Sequence, residues 1–223
     1  MKIKILHEDS DILAIDKPSG ILVHPGQKNE DKTILDLFVK KYPKVEIIHR
    51  LDRETSGVML LAKNAKAHEF LKKQFMDREI KKTYYAIVSG WVKNDHDTIN
   101  KPIGRSPSDF RRKLAGRGAR GELREAITEY KVLKRFIISG NKFSYLEIHP
   151  KTGRTHQIRV HMKFINHPVI SDSLYNPDKP YPKGLDRLAL HAKSIEFKDL
   201  KGKIVKVESP LPKEFGKIIK LQK

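Results

Sequence analysis

In Ile48-His49-Arg50-Leu51-Asp52-Arg53-Glu54-Thr55-Ser56-Gly57 one carboxylate, Asp52, sits between two guanidiniums. A nearby positive charge favours the ionised form of a carboxylate, so Asp52 could serve as a nucleophile or a base. The same residues could equally form a surface ion-pair cluster, and the segment alone does not separate the two readings. A second polar stretch, Pro150 to Met162, gathers Arg154, His156 and Arg159. A third, residues 104 to 121, sets Arg105, Arg111, Arg112, Lys113, Arg117 and Arg120 against one acid, Asp109.

Apolar runs from Val45 to Ile48 and from Val58 to Leu61 flank the Asp52 segment and read as buried strands, so the charged residues between them form a loop held at both ends by core. Upstream, Ile12 to Ile15 and Ile21 to Val23 read as strands around the turn Asp16-Lys17-Pro18-Ser19-Gly20, with His24-Pro25-Gly26 closing the unit. This hairpin is expected to support the Asp52 loop. Helical spacing predicts a helix over Ile34, Leu35, Phe38, Val39 and Tyr42, capped by Thr33 and stopped by Pro43. A second helix, capped by Asn64, has Ala67, Phe70, Leu71 and Phe75 on its apolar side.

Residues 82 to 90 alternate like a strand and end on Gly90. Ala126 to Phe136 and Phe143 to His149 form a long hairpin around Ser139-Gly140-Asn141, which implies a mainly antiparallel sheet. The basic stretch contains a literal G-x-G-x-x-G at Gly116, Gly118 and Gly121, but no apolar strand precedes it, so a dinucleotide site is rejected. It reads instead as a flexible arginine-rich loop that wraps RNA backbone, or as a disordered surface loop in the free protein, and the two are compatible.

Thr155 is placed to cap a helix with Ile158, Met162 and Ile165 on its buried stripe and His156, Arg159 and Lys163 on a basic ridge. His156 and His161 are five positions apart and have no carboxylate nearby, which argues against a metal site. Strands follow at 188–197 and 203–208, then a short lysine-rich helix after Pro210-Leu211-Pro212.

Lys and Arg number 46 against 27 Asp and Glu, a net charge of +19 over 223 residues. Such an excess points to a polyanionic partner, nucleic acid first. The absence of cysteine excludes disulfides, thiolate catalysis and cysteine zinc sites. The N-terminus lacks the apolar segment of a signal peptide, and no run approaches the ~20 apolar residues of a membrane span, so the expected compartment is the cytoplasm.

The motif His49-Arg50-Leu51-Asp52 with Thr55-Ser56-Gly57 resembles the signature of the RluA-like family of RNA pseudouridine synthases. Lys17-Pro18, Gly20 and His24-Pro25 extend the likeness. So do Tyr84, Ala86, Val88 and Gly90, then Thr152 to Met162, then His167-Pro168, Asp172 and Tyr175, and finally Leu190 within Leu-His-Ala. Ser171 stands where the family usually has glycine.

The resemblance covers nearly the whole chain and implies a single catalytic domain, 1–223. It implies an α+β fold with a mainly antiparallel mixed sheet, flanking helices and a central active-site cleft. It further implies conversion of uridine to pseudouridine in rRNA or tRNA with Asp52 as the catalytic carboxylate. Arg159 is the arginine that pairs with it, Tyr84 stacks on the uracil, Arg50 enters the space left by the extruded nucleotide, and Leu190 packs near the pocket. Arg53, Arg154, His156 and the cations of residues 105–120 are expected to contact RNA.

The isomerisation oxidises nothing and transfers no net group, so no cofactor or metal is expected; a monomer is. Only about ten residues precede the resemblance, so the extra RNA-binding domain of many relatives is expected to be absent. A non-catalytic RNA-binding or ribosome-assembly protein would explain the charge equally well, though it would not require Asp52, Tyr84 and Arg159 together.

Overall fold

The computed structural model describes residues 3–25, 32–177 and 182–220. Gly26 of the first turn lies outside them. The elements run β1 (Lys4–Glu8), β2 (Ile12–Lys17), α1 (Ile34–Val39), β3 (Glu46–Ile47), β4 (Ser56–Ala62), α2 (Ala65–Met76), β5 (Lys81–Ser89) and β6 (His96–Asn100). They continue with β7 (Ile103–Arg105), β8 (Lys113–Ala115), β9 (Arg120–Arg124), β10 (Ile127–Ile138) and β11 (Asn141–Pro150). The chain closes with α3 (Gln157–Phe164), β12 (Leu190–Lys198), β13 (Ile204–Glu208) and α4 (Lys213–Lys220). The class is α+β, with antiparallel pairing along the registered ladders. The chain divides into two compact units, Met1–Lys82 with Ala192–Pro210, and Thr83–His191 with Leu211–Lys223.

In the first unit, β2 lies between β1 and β4, both antiparallel to it. Every residue of β4 is buried, the mark of a strand covered on both faces, and Ile12 to Ile15 of β2 are wholly inaccessible. Gly57 at the start of β4 has φ +113° and faces the Ala192 backbone of β12. A Cβ there would come within 2.7 Å of Ala192 N, so only glycine allows this approach. Asn64 caps α2 through the Ala67 amide at 2.9 Å, and Thr33 and Asp36 form a capping box on α1, both as the spacing predicts. Ile21 to Val23 do not continue as a strand. The carbonyls of Leu22 and Val23 instead accept from Ile34 N and Leu35 N at the start of α1.

In the second unit, β11 pairs with β5 on one side and with β10 on the other, and β10 pairs with β6. Ile158 and Met162 of α3 join Ala86, Val88, Leu146, Leu190 and Phe215 in its core. Ile165 of the expected stripe packs against that core only half-buried. The basic stretch is a separate three-stranded antiparallel sheet in the order β8-β7-β9, not a flexible loop. It folds because Ile103 and Ala115 give it a small apolar face, which packs on Val160, Tyr175 and Ala126. Gly104 lets the strands close up, since a Cβ there would meet Leu123 Cδ2 at 2.8 Å and Arg120 O at 2.9 Å.

Candidate active site

Asp52 is half-buried at the tip of the loop between β3 and β4, with Arg50 and Arg53 exposed beside it. What holds the loop is the turn after β2. Lys17 is completely buried, and its Nζ donates to Pro18 O at 3.0 Å, Arg53 O at 2.9 Å and Thr55 O at 2.8 Å. Gly20 N and Ser19 Oγ donate to the Arg53 and Glu54 carbonyls at 2.8 and 2.7 Å, and Arg53 Nε returns a bond to Gly20 O at 3.0 Å. Thr55 N closes the loop on Asp52 O at 3.1 Å. Asp52 therefore stands on a backbone whose carbonyls are tied to the preceding turn. The expected support of the loop by the Lys17-Gly20 turn is what these bonds accomplish.

On the strand side His49 Nε2 accepts from Leu60 N at 2.9 Å, and its ring lies 4.7 Å from that of Phe75. Burial, with a smaller contribution from the charge of Lys82, pushes the His49 imidazole down to about 3. Desolvation alone lowers the Lys82 ammonium to about 8. His49 is thus a neutral acceptor pinning the start of the motif to β4, a role its sequence position did not reveal.

The second unit carries the other candidates. Tyr84 is half-buried on β5 opposite Ile148. Its neighbour Tyr85 points to the other face of the strand, where it meets Tyr145 edge-on at 5.3 Å. Leu190 is buried in the core of this unit.

Arg159 does not stand on an exposed basic ridge with Lys163. It is buried, and its Nε and Nη2 grip Asp172 Oδ2 and Oδ1 at 2.7 and 2.8 Å. Asp172, itself wholly inaccessible, also accepts from the amides of Leu174 and Tyr175 at 3.0 and 2.9 Å. The guanidinium lies over the Tyr175 ring, 5.1 Å from its centroid. A two-pronged Arg–carboxylate bond fixes orientation as well as charge, so Asp172 positions Arg159. The resemblance in sequence covers Asp172 and Tyr175 but assigns neither a role.

Thr155 does not cap α3. The helix is preceded by His156 in the left-handed region at φ 57° with no side-chain cap bond. Gln157 takes over the anchoring: its Oε1 accepts from Thr152 Oγ1 at 2.7 Å and Arg154 N at 3.0 Å, and its Nε2 donates to Ile127 O and Thr128 Oγ1, both at 2.9 Å. With its amide thus fully satisfied, Gln157 ties the helix start to β10. The backbone turns back at His156, a residue type that tolerates this conformation better than most.

His156 Nδ1 then meets Tyr175 Oη at 3.0 Å, and that hydroxyl also accepts from Lys113 N of β8 at 2.8 Å. Arg154 Nε donates to Glu125 O at 2.9 Å. One tyrosine hydroxyl thereby links the basic sheet to the start of α3.

On the basic sheet, Arg105, Arg111, Arg117 and Arg120 are exposed and Arg112 and Lys113 half-buried. Asp109 accepts both prongs of Arg111, Nε at 3.0 Å and Nη2 at 2.8 Å, and faces Arg112 Nε at 3.6 Å. The Arg111 hydrogen bonds hold the Asp109 carboxyl at about 2. No group of three or more His, Asp or Glu side chains placed to hold a metal occurs among the described residues. Nor is any helix among them long and apolar enough to cross a membrane.

The first unit thus carries a half-buried carboxylate on a clamped loop, and the second a strand tyrosine, a buried, oriented arginine and a cation-rich sheet. Residues 11–164 match the family model described as RNA pseudouridylate synthase, a span that contains Asp52, Tyr84 and Arg159. The ribosomal large subunit pseudouridine synthase D of Haemophilus ducreyi is 35% identical over 99% of this chain and 71% of its own length. That of Xanthomonas campestris is 34% identical over 97% of this chain and 68% of its own. Among solved structures, human RNA pseudouridylate synthase domain containing 1 superposes with a TM-score of 0.80 at 27% identity, covering 95% of this chain and 84% of the human one. The human domain containing 4 gives 0.77 at 28% identity, covering 95% and 90%.

The chain belongs to the RluA-like family of RNA pseudouridine synthases. It is an isomerase that converts uridine in RNA to pseudouridine.

Proposed function

We propose that Asp52 is the catalytic carboxylate and that the substrate is ribosomal RNA, in particular that of the large subunit, with tRNA the second candidate. The observation that carries the first half is the clamped loop: buried Lys17 binds the carbonyls on both sides of Glu54 and so fixes the backbone from which Asp52 projects. The names of the relatives from Haemophilus ducreyi and Xanthomonas campestris support the second half.

The reaction breaks the bond between uracil N1 and ribose C1′, turns the base and joins C5 to C1′; the C5 hydrogen leaves as a proton and N1 takes one up, so the product is an isomer. The Asp52 carboxylate serves as nucleophile or base in that sequence. Tyr84 offers a ring on which the freed uracil stacks, and Leu190 gives the base an apolar neighbour. Arg159, oriented by Asp172, acts as the arginine for the carboxylate. Arg50 fills the place of the nucleotide once it leaves the stack, an extrusion that costs a few kcal/mol. Phosphate contacts by Arg53, Arg154, His156 and the β7–β9 sheet offset that cost. The chain is proposed to act as one catalytic domain, residues 1–223, as a monomer in the cytoplasm.

Tritium release from RNA labelled at uridine C5 tests this reading. The native protein should release tritium from large-subunit RNA transcripts. Asp52→Asn should release none while binding the same RNA with unchanged affinity. Release by Asp52→Asn at the native rate would remove Asp52 from the chemistry, and release from tRNA alone would move the substrate.

A further inference from the structure

We propose that Phe110 is a stacking platform for an unpaired RNA base, set beside a row of cations that receives the adjoining phosphates. This rests on the reading of the β7–β9 sheet as an RNA-binding surface and specifies what it takes.

Phe110 is 91% exposed, and no other large apolar side chain among the described residues is as open. A lone exposed apolar residue is ordinary; the setting of this one is not. The ring stands on the turn that joins β7 to β8, and the turn is tied at several points. Ser106 N bonds Arg112 O at 3.2 Å, Arg112 N bonds Asp109 O at 3.0 Å, and the Ser106 and Ser108 hydroxyls meet at 3.2 Å. The Arg111–Asp109 fork adds two more bonds across Phe110 itself. A ring presented on a fixed backbone loses little entropy when a partner covers it.

At the foot of this turn, Lys113 of β8 and Arg120 of β9 both stand directly opposite Arg105 of β7. Three cations thus share one cross-strand row of a three-stranded sheet. None of the three has a carboxylate partner among the described residues. Like charges directly opposite one another destabilise a sheet, so the row is an unfavourable arrangement for the free protein and a favourable one for a chain of phosphates. Ile103 and Ala115, two residues along the same strands, pack on Val160 and Tyr175, which fixes the row to the body of this unit.

An acidic peptide would satisfy the cations but would leave the ring uncovered. A single-stranded nucleotide satisfies both, because it couples a phosphate to a planar base, and unpaired bases in RNA commonly stack on aromatic side chains.

The test is a titration of the full chain, by fluorescence anisotropy, against a stem-loop RNA with an unpaired loop, its fully paired counterpart, and inorganic polyphosphate. Phe110→Ala should weaken stem-loop binding about five- to hundredfold, with duplex and polyphosphate binding unchanged and the salt dependence unaltered. Phe110→Trp should restore affinity, and Phe110→Leu should not. Unchanged stem-loop affinity in Phe110→Ala, an equal loss on duplex, or full affinity in Phe110→Leu would each overturn the proposal.

Arg105→Ala combined with Arg120→Ala tests the underlying surface separately. It should weaken binding to all three probes and reduce the salt slope on the stem-loop by about 1.4 for two lost phosphate contacts to its unpaired strand. If this pair weakens binding and Phe110→Ala does not, the basic surface stands and stacking falls. If the pair has no effect, the surface reading itself falls.

Discussion

Replacing Asp172 by Asn isolates the buried pair that orients Arg159. The side chains of Arg159 and Asp172 are 6% and 0% exposed, so little solvent screens the loss. An asparagine in the native rotamer keeps Oδ1 for Leu174 N, Tyr175 N and Arg159 Nη2, the bonds seen at 3.0, 2.9 and 2.8 Å. It replaces Oδ2 by an amide group, so the 2.7 Å bond from Arg159 Nε becomes a donor facing a donor. The local turn survives while the guanidinium loses the carboxylate that grips it with two prongs.

Breaking a buried pair from one side costs about 3–5 kcal/mol, because the remaining charge loses its buried counter-charge. Urea unfolding at pH 7 should show that loss as a lower midpoint with unchanged slope. Arg159→Met on its own removes the guanidinium and strands the carboxylate. The double variant should recover part of each loss, giving a coupling of about 2 kcal/mol or more in a double-mutant cycle. In the tritium assay Asp172→Asn should lower kcat with little change in KM, since it misorients a group without removing an RNA contact. A loss under about 1 kcal/mol, or additive single variants, would refute the view that this pair is a structural determinant of the site.

Two other perturbations address the first unit. Lys17→Met keeps length and apolar bulk but withdraws the donor from three carbonyls. It should cost about 2–4 kcal/mol in chemical denaturation and slow turnover more than it weakens RNA binding; a variant as stable and active as the native protein would show that the Asp52 loop holds itself. His49, with its folded-state value near 3 against 6.5 when unfolded, contributes stability that is full above pH 6.5 and is lost as pH falls towards 3. Between pH 7 and 5 its share is about 1–2 kcal/mol, so urea midpoints of His49→Gln should vary less over that interval than those of the native protein, and equal variation would shift the titration elsewhere.

Much of the first unit was legible because its signals are local. Alternating and continuous apolar runs mark β2 and β4, the Asn64 and Thr33 caps mark α2 and α1, and the Asp52 motif points to the chemistry through its resemblance to a family. The long hairpin of β10 and β11 followed from period-two alternation around Ser139-Gly140-Asn141. The short strands β6 to β9 were missed, since three to five polar residues with a few apolar ones carry no distinguishable period.

Tertiary structure decided the features whose partners lie far along the chain. Lys17 reaches a carbonyl 38 positions away, and Tyr175 takes an amide hydrogen from a residue 62 positions before it. That second contact and the packing of Ile103 and Ala115 on Val160 and Tyr175 fix an arginine- and glycine-rich stretch, paired by its own ladders, as a sheet with three cations in one row. Similarly, Arg159 reads in sequence as one of several cations on a helix, and its burial follows from Asp172, which the chain after α3 brings back to it. Composition and motif determined what this protein acts on and the family of reactions it performs. Which charges are buried, paired or presented outward depended on contacts between distant residues, because the free energy of a charge is set by its surroundings and not by its neighbours in sequence.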